Sequence, residues 1–258
     1  MMKLHIFGSC SGTEPQPGRH HTSWALECGD KLYWFDAGEN CAHTACSMGL
    51  ELRAIQAVFI SHPHIDHVGG LPHLLWSIAK TRLVQKDSSL LKFPLFLPVP
   101  EIWDLTCQWL DICGKSHDKQ LQITPETISD RLLFDDGIVS VESRHNFHIQ
   151  SPDAEKFTSY SFRIRANGKT IIFSGDVKHW SDPGDWLDDC DLLLMETGHH
   201  KSSEVCAQLK QNCPGVRDII FIHSGRELLN DFAAAKQRAE AAWQAPVKVA
   251  SDASTFEL

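Results

Sequence analysis

The chain has 258 residues, 42% of them hydrophobic, and a formal net charge of −9. That length suits one large domain or two small ones, and that apolar share fills a sizeable core. The acidic balance and the lack of a basic stripe count against a nucleic-acid binder, which needs Lys and Arg to neutralise phosphates. No run spans a membrane, the first residues carry no secretory signal, and nine cysteines without a CxxC pair fit reduced thiols better than a disulfide framework. These features predict a cytoplasmic protein, and with no Ser/Gly-rich linker residues 1–258 read as a single domain.

Lys3-Leu4-His5-Ile6-Phe7-Gly8 predicts a first strand, followed by a Gly/Pro/Ser-rich loop from Ser9 to Gly18. His20 and His21 share no ligand spacing with another group and read as exposed. Ser23–Cys28 and Lys31–Phe35 flank Gly29-Asp30 in the pattern of a tight hairpin, which ends in Asp36-Ala37-Gly38. Small and apolar residues recur at helical spacing from Asn40 to Leu52, and Ala57-Val58-Phe59-Ile60 reads as a buried strand.

That strand delivers Ser61-His62-Pro63-His64-Ile65-Asp66-His67-Val68-Gly69-Gly70, four metal-capable side chains within six residues. Imidazole and carboxylate suit zinc, manganese and iron, and without a cysteine in the cluster a closed structural zinc site is disfavoured against an open catalytic one. His62 and His64 alternate about Pro63 and can reach one ion from an extended segment, whereas Asp66 and His67 follow too closely to share it. The pattern therefore predicts two adjacent ions, which together polarise a substrate oxygen and activate a bridging water for hydrolysis.

Downstream, Leu71–Ala79 predicts a helix with His73 on its surface, Leu95–Pro98 a short strand, and Glu101–Cys113 a helix offering Trp103, Leu105, Trp109, Leu110 and Ile112 for burial. Residues 123–136 give no clear element. Ile138–Ser143 alternates as a half-buried strand and runs into Arg144-His145-Asn146-Phe147-His148. Tyr160–Ile164 and Lys169–Phe173 flank Asn167-Gly168, the preferred pair for a two-residue hairpin turn, and lead to Ser174-Gly175-Asp176. Asp218–Ile222 ends in His223-Ser224-Gly225-Arg226, then a helix from Leu228 to Trp243 and a strand over Val247–Asp252 are expected. Five apolar strands thus end at Asp36, His62, His145, Asp176 and His223.

The cluster, with Ile-Ser before it and Val-Gly-Gly-Leu after it, resembles the His-x-His-x-Asp-His signature of the metallo-β-lactamase superfamily. The resemblance implies an α/β fold, a four-layer αβ/βα sandwich with a dinuclear site at one edge of its two sheets. It implies two divalent ions, zinc first, with Mn2+ or Fe2+ as alternatives. His62, His64 and a third histidine would hold the first, with His145 as the choice and His148 as its rival. Asp66, His67 and His223 would hold the second, Asp176 would bridge them, and Asp36 would orient a ligating imidazole from beneath.

Gly8–Thr13, Asp36-Ala37-Gly38, Leu193–Thr197 and Ile222–Arg226 make the likeness closest to the ribonuclease Z-like branch. Two departures count against tRNA processing. The stretch from His145 to Asp176 leaves no room for that enzyme's flexible arm, and its His-Glu-Ala-Thr motif is matched by Met195-Glu196-Thr197, without the helper histidine. His199 or His200 could supply the leaving-group proton instead, Asp66 could orient the nucleophile or take its proton, and Arg226 could clamp phosphate. The armless form resembles small phosphodiesterases acting on small or cyclic phosphodiesters. The alternatives are a carboxylic ester, lactone or thioester hydrolase on the same site, ribonuclease Z-like RNA processing, and a metal-bound ligand sensor without turnover. A small-molecule substrate and a homodimer are expected, the latter with Leu91–Val99 as the apolar stretch to pair.

Overall fold

In the computed structural model the described residues are 2–114, 120–149 and 156–258. The chain opens with β1 (Met2–Gly8), the hairpin β2 (Ser23–Cys28) and β3 (Lys31–Phe35), α1 (Cys41–Ser47) and β4 (Ile55–Phe59). There follow the one-turn α2 (Ile65–Val68), α3 (Leu71–Val84), β5 (Leu91–Leu97), α4 (Glu101–Ile112) and β6 (Leu121–Thr127). Four antiparallel strands come next: β7 (Arg131–Asp135), β8 (Val139–His145), β9 (Tyr160–Ala166) and β10 (Lys169–Phe173). The remainder is β11 (Leu192–Thr197), α5 (Ser202–Asn212), β12 (Ile219–Ser224), α6 (Arg226–Asn230), α7 (Phe232–Trp243), β13 (Lys248–Val249) and β14 (Thr255–Glu257).

These elements form two compact units. The first takes residues 1–8, 17–128 and 252–258, the second residues 9–16 and 129–251. No linker is visible in the sequence because the chain changes units at short connections, and each unit borrows a piece from the other end of the chain.

The first unit holds a seven-stranded sheet in the order β14-β1-β2-β3-β4-β5-β6. Its strands are antiparallel up to β3 and parallel from β3 to β6, because α1, α3 and α4 supply the crossovers that parallel pairing requires. Trp34, Val58, Leu74, Ile78 and Leu95 lie in the core beneath these helices. Trp24, Phe35, Phe59 and Phe96 stack in sequence across four strands, with centroid separations of 4.2, 4.9 and 5.0 Å. β5 is internal to the sheet and Phe93, Leu95, Phe96 and Leu97 are buried, which overturns the expectation of exposed apolar side chains there. The exposed apolar surface is instead on α4, where Leu105, Trp109 and Ile112 are 64%, 65% and 87% accessible. Sequence periodicity marked the right helix and misjudged which side of it is covered.

The second unit holds the sheet β13-β12-β11-β10-β9-β8-β7. Residues 123–136, silent in the sequence, supply β6 and β7, whose side chains are mostly half-buried or exposed. The helix expected over Leu228–Trp243 is broken at Asp231, whose side chain accepts from Ala234 N at 3.2 Å and caps α7. Ile172, Leu193, Met195, Phe221, Leu209 and Trp243 share the core under α5 and α7. Among the described residues no helix is long and apolar enough to cross a membrane.

The β9–β10 turn pairs Ala166 with Lys169 and places Asn167 at φ 50° and Gly168 at φ 72°, the two left-handed residues of a type I′ turn. A Cβ at Gly168 would meet no neighbour within 4 Å. Gly168→Ala should therefore lower stability by about 1 kcal/mol through backbone strain alone, read as a shifted urea midpoint with an unchanged slope.

Candidate metal centre

In the first unit the loop after β4 is built on Asp36, which leaves β3 with φ 55° and is fully buried. One carboxylate oxygen accepts from Ser61 N at 2.6 Å, and the other accepts from Ser61 Oγ at 2.9 Å and from His67 Nδ1 at 2.8 Å. Ser61 Oγ uses its proton on Asp36, so its contact with His62 Nδ1 at 3.0 Å is one in which the imidazole donates. Asp36 thereby sets the tautomer of His67 directly and of His62 through Ser61, leaving Nε2 of each as a lone-pair donor.

The loop backbone is held just as closely. Ala37 N donates to His67 O at 2.6 Å and Gly70 N to Ala37 O at 2.7 Å. A Cβ at Gly70 would stand 2.2 Å from Gly38 O, and one at Gly38 would stand 2.8 Å from Asp66 O. Glycine is required at both positions by this approach. α2 begins after His64, so Asp66 and His67 point from a helical turn while His62 and His64 stay extended, the division anticipated from their spacing. His62 Nε2 lies 3.1 Å from His64 Nδ1, and His67 Nε2 lies 3.3 Å from Asp66 Oδ2.

In the second unit Asp176 follows Gly175, whose φ of 58° turns the chain at the end of β10. His223 is the extra residue of an irregularity in the β11–β12 ladder, where Glu196 faces Ile222 and Thr197 faces Ser224. The bulge and a φ of 55° re-aim its ring so that Nε2 lies 3.3 Å from Asp176 Oδ2. Gly198 makes room for that ring, since a Cβ there would lie 2.5 Å from His223 Nδ1.

His148, not His145, reaches Asp176. Its Nε2 is 3.8 Å from Asp176 Oδ2. His145 turns away, with Nδ1 2.6 Å from Asp130 Oδ2 and its ring stacked 3.7 Å from Phe157. The expectation favoured His145 because it ends β8, but Asn146 decides the matter. Its buried Oδ1 accepts from His148 N at 3.2 Å and from Ser159 Oγ at 2.6 Å, curling the chain so that the next histidine faces the sheet edge.

His199 is held from within the same unit. Glu196, fully buried in β11, accepts from His199 N at 2.9 Å and lies 3.1 Å from His199 Nδ1. Burial pushes this carboxyl up, but the hydrogen bond from His199 and the neighbouring His223 imidazole outweigh it and hold the group below the usual carboxylate range. The same bond raises His199, which burial opposes. His199 Nδ1 also lies 3.8 Å from Asp176 Oδ2, whereas His200 Nε2 donates to Val177 O at 3.0 Å. Of the two candidate proton donors, it is His199 that is held facing Asp176. The sequence motif alone assigns Glu196 no role. The signal was an acid embedded in the apolar run Leu192–Met195, which a strand tolerates only when the acid is partnered. Arg226 is bidentate to Glu14, through a 2.8 Å contact between Nη1 and Oε1 and a second through Nη2.

The family model described as "Beta-lactamase superfamily domain" matches residues 33–245. The chain belongs to this superfamily. A ribonuclease Z of Treponema pallidum (strain Nichols) is 46% identical over 74 residues, which are 29% of this chain and 24% of that protein. The chain thus spans about a quarter of that relative's length in the matched stretch. The crystal structure of human tRNase Z, short form, superposes with a TM-score of 0.71 at 19% identity over 99% of this chain and 98% of that one. A diphosphatase from the PhnP family superposes at 0.68 with 15% identity, covering 100% and 98%. The metallo-β-lactamase fold is shown by these matches and by the two large sheets, and it implies divalent metal ions.

The donor atoms fit that implication. In a tetrahedral shell with bonds of about 2.0–2.1 Å, neighbouring donors stand about 3.3 Å apart. The His62–His64, Asp66–His67 and Asp176–His223 separations of 3.1, 3.3 and 3.3 Å match the edges of such a shell. Asp36→Ala, which frees the rings of His67 and His62 without removing a donor, should weaken metal binding about 10–100-fold. Competition against a chelator of known affinity measures this, with circular dichroism checking the fold.

Proposed function

We propose that the protein is a metal-dependent hydrolase that cleaves small or cyclic phosphodiesters. Two divalent ions, zinc first among candidates, would be held by His62, His64, Asp66, His67, His148, Asp176 and His223, with Asp176 as the shared ligand. When bound, such a pair supplies Lewis-acid polarisation of a phosphoryl oxygen and a water acidified to near neutrality.

The observation that carries this reading is the buried Glu196 holding His199 3.8 Å from Asp176. Phosphodiester cleavage joins the water oxygen to phosphorus and breaks the bond to the leaving oxygen, which departs with the bonding electrons. Asp66 orients the water and takes its proton. With Nδ1 committed to Glu196, His199 gives its Nε2 proton to the leaving oxygen. Good activated leaving groups need no such help, while an alkoxide does.

The relatives support phosphorus chemistry by name, as a ribonuclease and a diphosphatase. The ribonuclease Z likeness keeps RNA processing as a second reading. Against it stand the net charge of −9 and the closeness of β8 and β9, which leaves no place for an arm in that part of the chain. Carboxylic ester, lactone or thioester hydrolysis would use the same donors.

The protein should bind two ions per chain and turn over bis(p-nitrophenyl) phosphate faster than a p-nitrophenyl ester or a lactone. Dominant ester or lactone turnover would move the assignment to those substrates. Asp176→Ala and His148→Ala should abolish turnover and lose metal by elemental analysis, while His145→Ala retains both; the reverse pattern for the two histidines would overturn the His148 assignment. His199→Ala should slow an alkyl diester by about 10²–10⁴-fold and a p-nitrophenyl diester far less.

A further inference from the structure

The helix α4 is covered by its own unit on one side. Ile102, Trp103 and Leu110 pack on the first unit's core, and Thr106 is buried. Leu105, Trp109 and Ile112, spaced four and three residues apart, form a second apolar stripe that faces solvent. A surface helix of a globular unit keeps one apolar stripe for its core and polar residues elsewhere, so a second stripe marks a surface made to be covered.

The stripe continues on α3. Trp76, Leu83 and Val84 are 38%, 61% and 80% exposed and share one face of that helix. The Trp76 ring is held in place, with the His73 ring stacked 5.5 Å from it and Lys80 Nζ 5.6 Å from its centroid. Leu74, Leu75 and Ile78 of α3 enter the same core as Ile102, Trp103 and Leu110 of α4, and the two helices touch, so their outward stripes look the same way. At their exposures the six outward side chains present on the order of 800 Å², the share that each partner of a standard interface buries.

We propose that the α3–α4 face is where two copies of this chain pair, α4 of each lying against α3 of the other. Charge selects this arrangement. α4 carries Glu101, Asp104 and Asp111 and no Lys or Arg, whereas α3 carries Lys80 beside its outward indole, has no Asp or Glu, and is followed by Lys86. A two-fold axis across the helices lays α4 on α4 and sets acids against acids. An axis along them lays α4 on α3 and sets acids against cations at the rim, while the apolar stripes meet between them. Trp76 and Trp109 are anchors of the kind that dominate such contacts. Leu91–Val99, the stretch expected to pair, is excluded because β5 lies inside its sheet. The pairing is independent of what the metal centre hydrolyses.

Sedimentation velocity of the purified protein, with a thiol reductant because Cys46 and Cys113 are exposed, should show twice the 29.0 kDa mass of the chain. Trp109→Glu and, independently, Leu105→Glu should each raise the dimer Kd at least about 30-fold. Both should leave bound metal and circular dichroism unchanged, because neither side chain belongs to the core. Lys80→Glu and Asp104→Lys should each weaken pairing severalfold and together restore it. Pairing that Asp104→Lys alone strengthens would put α4 on α4 and overturn the arrangement. Interfaces of this area bind at micromolar Kd or tighter, so a wild type that stays monomeric at about 100 µM leaves the face to another partner and overturns the second-copy assignment. A dimer whose Kd neither glutamate moves is paired elsewhere, which overturns it as well.

Discussion

A buried carboxylate with three donors on it organises the first unit's ligand loop. Asp36 would be prohibitively costly in an apolar sheet if left alone. Ser61 N, Ser61 Oγ and His67 Nδ1 satisfy it within 2.9 Å, and in doing so they fix the loop, the ring of His67 and, through Ser61, the ring of His62. The backbone accepts a left-handed residue at Asp36 to make this possible. Gly38 and Gly70 then let the two loops touch at backbone distance. The imidazoles are therefore oriented before any ion arrives, which is the usual requirement for a site that keeps an open position for chemistry.

The second unit solves the same problem with other parts. Glu196 takes the role of buried acid, and it restrains His199 while standing 3.8 Å from His223. A bulge and a second left-handed residue turn His223 out of its strand. In both units a left-handed residue stands at or next to the end of a strand that has a parallel neighbour, Asp36 after β3 and His223 in β12. Loops there can vary in length while the strand ends stay put, so substrate choice is written in the neighbouring walls and not in the donors.

Much of this was legible in the sequence. The strand ends at Asp36, His62, Asp176 and His223 were readable, because an apolar run followed at once by a polar, turn-compatible residue leaves little choice of geometry. The Asn167-Gly168 hairpin was readable for the same reason, its turn chemistry being local. His145 and His148 could not be separated by position, since the decision lies with Asn146 and Asp130, one of them remote in the chain. The exposed side of α4 was equally out of reach, because periodicity reports that a helix has an apolar stripe and not that anything covers it. Asp231 interrupts the last helical pattern through its own side chain, a cap that is indistinguishable in sequence from a solvent-facing acid.

The most direct test of the account is the anomalous scattering of crystals grown with zinc and recorded at the zinc edge. Two peaks per chain are expected, roughly 3.5–4 Å apart, one beside His62, His64 and His148, the other beside Asp66, His67 and His223, with Asp176 between them. A single peak, or one that takes His145 in place of His148, would contradict it.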